Sequence, residues 1–251
     1  MFTAIFLQPL FNLLVWLYNV LPGHDIGVAI IIMTIFVKVI LWPFTVLQIK
    51  QQRAMQAIQP KIEEIRTKYK DDKEAQGREL MALYAREKVN PAASCLPLLV
   101  QIPIFIGLYQ ALSKGLVSID QSLLYSFVEN PGVVQTMFLG ILDLTKRSIP
   151  LALASAAVQF WQSRQMLRAP SALITQPPAE VAGAPQAQDE SMTTMMNKQM
   201  MYTMPIITAF IGATLPAGVS LYWFVMSLLS VLQQWWVMRR LPPKILPQLS
   251  A

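Results

Sequence analysis

A single lysine, Lys38, lies inside the apolar segment IIMTIFVKVILWPF (residues 31–44). A lysine at the centre of a membrane-spanning helix costs about 2.5–3.5 kcal/mol, so it is usually paired with a carboxylate or exposed to a water-filled cavity. None of the spans predicted below contains Asp or Glu. At about 1.5 Å per residue, Lys38 is also roughly 14–18 Å from either end of its span. The sequence therefore favours Lys38 on the wall of a hydrophilic cavity, where it can attract an anionic group.

Other reactive side chains are few. Cys95 is the only cysteine and His24 the only histidine, so we expect no intramolecular disulfide, no metal site and no cofactor. An intramembrane enzyme, such as a lipid hydrolase or transferase, needs a nucleophile beside a base, and Cys95 has no evident base next to it. The sequence also contains no Gly-rich phosphate loop and no nucleophile elbow, which argues against a nucleotide-driven pump.

The composition indicates a membrane protein. Of the 251 residues, 54% are hydrophobic and 14% are charged, whereas a soluble domain carries about 25% charged residues. The hydrophobic residues cluster in runs of roughly 20, the length of a transmembrane helix. We therefore predict an all-α, polytopic membrane protein in which five transmembrane helices surround a hydrophilic groove.

The pattern divides the chain into spans and connections. We predict an N-terminal extracytoplasmic interfacial helix (1–25), five spans (26–47, 91–113, 148–166, 199–215 and 217–238), a cytoplasmic helical hairpin (48–90), an extracytoplasmic loop (114–147), a cytoplasmic flexible loop (167–198) and a cytoplasmic tail (239–251).

The N-terminal helix has two interpretations. Residues 2–21 are apolar enough for a signal-like span, but Gln8 and Asn12 interrupt the run. Trp16 and Tyr18 suit the headgroup layer, so we favour a helix that lies at the interface.

Basic residues set the orientation. Residues 50–90 hold ten Lys or Arg, and residues 164–198 and the tail after 238 hold three each. The alternate connections together hold three. Because Lys and Arg accumulate in cytoplasmic loops, we expect the N-terminus outside and the C-terminus in the cytoplasm.

The segment 48–90 carries the densest charge. The seven acidic residues in this segment nearly balance its ten basic ones, which is typical of a solvated helical hairpin. The alternative is that this hairpin contacts the ribosome or anionic lipid. We find no direct nucleic-acid site.

Polar residues in the other spans can line the same cavity as Lys38. They are Gln101, Gln159, Ser220, Tyr222 and Ser227. Each one alone more often makes a hydrogen bond between helices. Together with an unpaired lysine they favour a hydrophilic groove.

Methionines form a second pattern. Met192, Met196, Met200 and Met204 recur every four residues, from the flexible loop into the fourth span. Such a stripe usually packs against other helices, but flexible thioethers also suit apolar contacts with many different partners.

Four blocks resemble the YidC-type membrane protein insertases of the oxidase-assembly family. They are FVKVILWPFTVLQ, QPKIEEIRTKYKDDKE, MALYAREKVNPAASCLPLLVQIPIFIGLYQAL and LPAGVSLYWFVMSLLSVLQQ. Their order and separation match the family over roughly residues 5–240. The resemblance implies a five-helix core with a positively charged groove, open to cytoplasm and lipid and closed on the outer side. It also implies a mobile cytoplasmic hairpin and an interfacial N-terminal helix.

The resemblance also implies groove residues. The family's groove charge, usually an arginine, falls on Lys38, and Thr34 matches a threonine one turn before it. Gln101 matches a glutamine, and Tyr222 and Trp223 match an aromatic pair implicated in contacting substrate.

The chain departs from the family pattern in three ways. Lysine keeps the charge but lacks the planar donor fork of arginine, so the groove must be hydrated for Lys38 to stay charged. The large extracytoplasmic domain of many Gram-negative members has no counterpart here, so its roles cannot be transferred. The segment 241–251 carries only Lys244, which weakens the case for a ribosome contact through the tail.

These observations predict a non-enzymatic insertase and chaperone in the bacterial inner membrane. Its expected partners are nascent integral membrane proteins and the lipid bilayer, with the ribosome and the general secretion translocon as further candidates. A small anion transporter or channel that uses Lys38 as its binding charge is the alternative. That class would favour inverted repeats or a second intramembrane charge, and the sequence contains neither.

Overall fold

The computed structural model describes residues 3–90, 96–115, 121–167 and 192–240, and most of them are helical. A π-helical turn, Thr3–Leu7, precedes the first helix. The helices are α1 (Gln8–Val20), α2 (Ile26–Ile40), α3 (Trp42–Ala57), α4 (Gln59–Lys68), α5 (Lys73–Arg86), α6 (Leu96–Gly115), α7 (Ile149–Leu167), α8 (Met192–Thr214) and α9 (Ala217–Arg240). Most of the predicted flexible loop (167–198) and nearly all of the predicted tail (239–251) lie outside the described residues.

Some of the apolar helices are long enough to cross a membrane. Within the described ranges, Thr3–Val20 and Ala217–Arg240 meet this condition, and α2 with α3 does so if the bent pair forms one span. Shorter apolar stretches occur at Gln101–Leu112 and Met201–Thr214. The mostly helical fold, with apolar helices compatible with a membrane protein, is therefore observed, while the arrangement of five spans stays a prediction. The interfacial placement of the N-terminal helix also stays a prediction.

The first predicted span, 26–47, is divided by a bend. Helices α2 and α3 meet at an angle of 63° around Leu41. Pro43 explains the break, because it has no N–H for the carbonyl of Val39 and disfavours helical backbone at the preceding residue. Lys38 thus lies in the last turn of α2, where the free carbonyl groups of a helix end favour a cation.

The main hydrophobic core fills the end of the bundle where α2 and α9 begin and α6 ends. It includes Leu14 and Tyr18 of α1, Ile26, Ile30 and Met33 of α2, Leu108 and Leu112 of α6, and Ala217, Leu221 and Val225 of α9. Further along α2 and α9, polar residues join the buried set: Lys38, Gln233 and Gln234 lie there together with Val231 and Val237. The buried interior is therefore apolar at one end of the bundle and of mixed polarity towards the other.

The segment 121–148 covers the apolar end. It contains a 3-10 turn, Gln121–Leu123, and an antiparallel hairpin of β1 (Met137–Phe138) and β2 (Leu142–Asp143). The Asn12 amide of α1 donates to the Leu123 carbonyl at 2.7 Å and accepts from the Tyr125 N–H at 2.7 Å. These bonds hold the start of the segment against α1.

The hairpin itself is fixed to the start of α2. The Asp25 carboxylate caps α2, with one oxygen accepting from the Gly27 and Val28 N–H groups at 2.7 and 3.1 Å. Its other oxygen accepts from the Leu139 N–H at 2.7 Å. The Phe138 ring lies directly over Gly27. A single carboxylate therefore joins the helix start to the hairpin turn.

Small residues let α7, α8 and α9 approach closely. A Cβ atom added at Gly212 would lie 3.1 Å from the Cβ of Ala152. The Ser155 hydroxyl donates to the Ser220 carbonyl at 2.9 Å, and the Ser220 hydroxyl donates to the Gly212 carbonyl at 3.1 Å. Close contacts of this kind are typical of helices packed in a membrane. Ser220 therefore joins helices.

The charged region 48–90 contains α4 and α5, which pack against each other. Ile62 and Leu83 are buried between them, and Lys61 forms an ion pair with Glu87 at 2.6 Å. The Asp72 side chain caps α5 by accepting from the Ala75 N–H at 2.9 Å. The two helices are joined by a short turn between Lys68 and Lys73.

Candidate functional site: a buried lysine between two helices

Lys38 continues the buried face of α2. Ile30 and Thr34, at intervals of four residues, lie on the same face. The Lys38 side chain is only 7% exposed, and its ammonium donates to the Ser230 hydroxyl of α9 at 2.8 Å. The Ser230 hydroxyl in turn donates to the Met226 carbonyl at 2.7 Å. The ammonium is therefore held between α2 and α9.

The Lys38 ammonium has hydrogen-bonding capacity left for an anionic partner. Among the described residues, no carboxylate pairs with the Lys38 ammonium. An ammonium has three donors, and Ser230 accepts from one of them. Because a buried charge is stabilised by pairing and hydrogen bonding, a carboxylate or water that reaches this site is bound favourably.

Thr34 lies one turn before Lys38 on the same buried face of α2. Its hydroxyl donates to the Ile30 carbonyl of the same helix at 2.6 Å, and the residue is fully buried. Thr34 thus shapes the face on which Lys38 lies, with its hydroxyl group already engaged.

Gln101 and Tyr222 form a direct contact between α6 and α9. The Gln101 amide donates to the Tyr222 hydroxyl at 2.8 Å, and Tyr222 is 1% exposed. Eight residues separate Tyr222 from Ser230, so the two polar contacts lie about 12 Å apart along α9. The polar residues predicted for the groove therefore lie at two heights along α9: Lys38 beside Ser230, and Gln101 beside Tyr222.

We expect the Gln101–Tyr222 contact to stabilise the junction of α6 and α9. In a double-mutant cycle with Gln101→Ala and Tyr222→Phe, the coupling should be about 1 kcal/mol. The measurement is the free energy of unfolding of the four proteins in mixed micelles. Additive effects of the two substitutions would contradict the contact.

Trp223 lies beside this contact but on another face of α9. Its ring stacks on Phe105 of α6, with centroids 5.0 Å apart and an angle of 10° between the rings. Trp223 is half-buried, whereas Tyr222 is enclosed. Of the predicted aromatic pair, Trp223 is therefore the member with accessible surface.

Met204 is the only member of the predicted methionine set with a described side chain, and it is 37% exposed. Met196 and Met200 belong to α8 by their backbone, but their side chains lie outside the described residues. The stripe as a substrate contact stays a prediction.

Sequence reasoning missed Ser230 and Gln233. The Gln233 amide lies 3.5 Å from the Trp42 carbonyl, and its side-chain oxygen is buried without a hydrogen-bond partner among the described residues. Both residues lie on α9 beyond Tyr222, in a stretch where serine and glutamine are frequent. The frequency of serine and glutamine indicates that this stretch has a polar face. The packing of α9 against α2 is needed to identify Ser230 as the residue that contacts Lys38.

The end of α9 carries a belt of tryptophan and arginine. The Arg239 guanidinium lies 3.8 Å from the centre of the Trp235 ring, and that of Arg240 lies 4.1 Å from the centre of the Trp236 ring. The Trp236 ring also contacts Trp42 edge-on, with centroids 5.5 Å apart. Aromatic residues with cations are typical of a membrane–water interface.

The apolar helices, their close packing and this belt define a helical membrane protein with a cationic site buried between two helices. Within that class, the comparison with known protein families identifies the family of this chain. The family model described as 60Kd inner membrane protein matches residues 16–244, and this chain belongs to that family. The resemblance to YidC-type insertases is confirmed.

Several relatives are named membrane protein insertase YidC. One from Lawsonia intracellularis is 33% identical over 237 residues, covering 94% of this chain and 39% of the relative. One from Neisseria meningitidis is 35% identical over 237 residues, covering 93% and 36%. One from Fusobacterium nucleatum is 32% identical over 216 residues, covering 86% and 87%. The chain thus spans about two fifths of the first two relatives and most of the third.

Proposed function

We propose that this chain is a non-enzymatic membrane protein insertase and chaperone. It inserts integral membrane proteins and helps them fold and assemble, alone or with the general secretion channel. The observation that carries the proposal is the Lys38 ammonium, buried between α2 and α9 and bonded to the neutral Ser230 hydroxyl. The names of the relatives support the same class.

The substrate's route follows from the two ends of the bundle. The hydrophobic core and the segment 121–148 close the apolar end, while Lys38, Gln233 and Gln234 add buried polar groups at the other end. These features support a groove between α2 and α9 that is open towards the cytoplasm and closed on the outer side. Lys38, Gln101 and Trp223 contact the substrate there, with Thr34 and Tyr222 holding the groove's shape.

The orientation is N-terminus outside and C-terminus in the cytoplasm. The ten basic residues between 50 and 90 support it, because cytoplasmic loops are enriched in Lys and Arg. The belt of Trp235, Trp236, Arg239 and Arg240 at the end of α9 then lies at the cytoplasmic interface. Residues 121–148 lie on the outer face.

Insertion proceeds without ATP. A polar and often acidic segment of the substrate enters the groove, where the ammonium of Lys38 lowers the cost of leaving bulk water. The apolar part of the substrate moves into lipid, and its burial supplies about 25 cal/mol per Å². A membrane potential adds about 2.3 kcal/mol per negative charge moved outward per 100 mV.

The partners follow from this route. Nascent integral membrane proteins are the substrates. The ribosome and the general secretion translocon are further candidate partners, and the surface formed by α4 and α5 is the region available for such contacts on the cytoplasmic side.

Reconstitution tests the proposal. We expect the purified chain in liposomes to increase the insertion of a small single-spanning substrate with an acidic outward segment, with no nucleotide present. A potential that is positive in the liposome lumen, the compartment that receives the acidic outward segment, should raise the yield further, and an ionophore should remove that increment. The measurement is protease protection of the outward segment.

Two controls accompany the reconstitution. A matched substrate with a neutral outward segment should respond less to the chain and to the potential. If the chain gives no more insertion than protein-free liposomes for either substrate, the proposal is wrong.

A further inference from the structure

The hairpin of β1 and β2 ends in exposed apolar side chains. Leu139 is 64% exposed and Ile141 is 84% exposed. These two residues, with Gly140 between them, are called the hairpin tip below. Phe138 and Leu142, directly on either side of it, pack instead against the main core. The tip therefore projects from a base that is itself held in the fold.

The backbone of the tip is unfavourable for its sequence. Leu139 has φ +50° and Gly140 has φ +70°, and the Ile141 N–H donates to the Phe138 carbonyl at 3.0 Å. Both central residues of this turn are thus left-handed, a turn that favours asparagine followed by glycine. A leucine in the left-handed region costs about 1–2 kcal/mol. An exposed leucine held in this conformation suggests a contact beyond the chain.

The base of the hairpin is tied to the ends of two membrane helices. The Asp25 carboxylate joins the Leu139 N–H to the start of α2. On the other side, the Ala217 N–H at the start of α9 donates to the Lys146 carbonyl at 2.7 Å. The tip is therefore held beside the starts of α2 and α9, which belong to two of the predicted spans.

Basic residues follow the tip in sequence. Lys146 and Arg147 are exposed, and Lys146 pairs with Asp143 at 3.2 Å. A hydrogen bond from the Thr145 hydroxyl, together with Lys146 nearby, lowers the pKa of Asp143 to about 2, so Asp143 stays ionised. Among the described residues Arg147 has no ion-pair partner, and it remains available to an anionic group.

Exposed apolar surface resumes immediately after this basic pair. Ile149 and Leu153, in the first turns of α7, are 61% and 57% exposed. The basic pair thus separates two exposed apolar stretches, a distribution typical of the headgroup layer of a bilayer.

We infer that the hairpin tip is a lipid anchor, whose Leu139 and Ile141 side chains insert into the phospholipid surface beside α2. Arg147 contacts a lipid phosphate at the same level. The leaflet involved is the outer one if the proposed orientation holds, but the anchor itself does not depend on insertase activity. Insertion of such side chains typically reaches about 5–10 Å, to the boundary of headgroups and acyl chains.

A fluorescent label tests the anchor. In a Cys95→Ser background, an environment-sensitive fluorophore is attached to Leu139→Cys, and separately to Ile141→Cys. The full chain is reconstituted in vesicles of phosphatidylethanolamine and phosphatidylglycerol that contain a spin-labelled phospholipid. We expect blue-shifted emission, quenching by the spin-labelled lipid and protection from iodide at both sites.

The matched control is Asp71→Cys in the exposed turn between α4 and α5, which should emit at longer wavelength and be quenched by iodide. Emission from positions 139 and 141 that matches this control would overturn the inference. Blue-shifted emission without lipid quenching, dependent on the protein-to-lipid ratio, would also overturn it, because another copy of the chain would then cover the tip.

A second variant addresses the strain. Leu139→Asn suits the left-handed backbone and removes only a side chain that is mostly exposed, so the unfolding midpoint in micelles should hold or rise. A clear fall in the midpoint would mean that Leu139 packs within the fold, and the inference would be wrong.

Discussion

Lys38→Ala should reduce the insertion of substrates with acidic outward segments by roughly 30-fold. A carboxylate about 8 Å from the Lys38 ammonium, at an effective dielectric constant of about 20, is attracted by about 2 kcal/mol. A loss of this size in the rate-limiting step corresponds to roughly 30-fold in rate. The measurement is the initial rate of protease protection in proteoliposomes, with matched substrates that differ only in the charge of the outward segment.

The contacts of Lys38 make this substitution informative. In Lys38→Ala the Ser230 hydroxyl keeps its bond to the Met226 carbonyl, so no buried donor is left without a partner. The substitution also removes a charge that costs free energy to bury. The unfolding midpoint should therefore not fall, and a loss of insertion cannot be ascribed to a loss of fold.

Lys38→Arg is the matched control, because it preserves the positive charge while changing its shape. It should retain most of the insertion rate for acidic substrates. Substrates with neutral outward segments should lose much less in Lys38→Ala. If the alanine variant inserts acidic and neutral substrates equally well and as fast as the parent chain, Lys38 has no role in the mechanism.

The sequence is sufficient to name candidate residues such as Lys38, but it is not sufficient to derive which residues they contact. Lys38 is unusual because a charge is rare in an apolar run, and this signal needs no structure. Gln101 and Tyr222 could be named as polar residues of separate spans. Their hydrogen bond depends on the rotation of α6 relative to α9, which no pattern within either helix encodes.

The bend at Leu41 illustrates a second limit. Pro43 was visible in the sequence, but a proline in an apolar span can produce a small kink or a complete break. The outcome depends on how neighbouring helices satisfy the released carbonyl groups. With a 63° bend, Lys38 moves from the middle of a long predicted helix to the last turn of a shorter one. Its depth in the bilayer could not be derived from residue counting.

The covering segment was the least predictable part. Residues 114–147 were expected only as a connecting loop, because strands of two residues leave no periodic pattern. The Asp25 side chain caps its own helix, as a sequence signal predicts, yet it also binds the Leu139 N–H. This second contact joins residues that are 114 positions apart in the sequence. Closure of the apolar end thus rests on contacts that are distant in sequence.

Gly27→Ala should lower the free energy of unfolding by about 1–3 kcal/mol, as overpacking typically does. The three heavy atoms nearest to the added Cβ would all belong to the Phe138 side chain, including its Cβ at 2.9 Å. Phe138 is fixed between the Asp25-bonded turn and the main core, so it has little freedom to move. The hairpin should detach from α2, and proteolysis within residues 121–148 should become faster.

Gly77→Ala provides a control with the opposite sign. Gly77 lies inside α5, and a Cβ added there would meet nothing within 4 Å. The same chemical change should therefore stabilise the chain by about 0.5–1 kcal/mol through helix propensity alone. The comparison separates the clash with Phe138 from any general effect of replacing glycine in a helix.

A rescue variant identifies the clash itself. Phe138→Ala lowers stability alone because its ring packs on the core, but combined with Gly27→Ala it should cost less than the sum of the two single changes. The four proteins are compared by denaturation in mixed micelles and by the rate of proteolysis in the outer segment. Additive losses, or equal effects of alanine at positions 27 and 77, would show that the hairpin is not seated on Gly27. The closure of the apolar end of the bundle would then need another explanation.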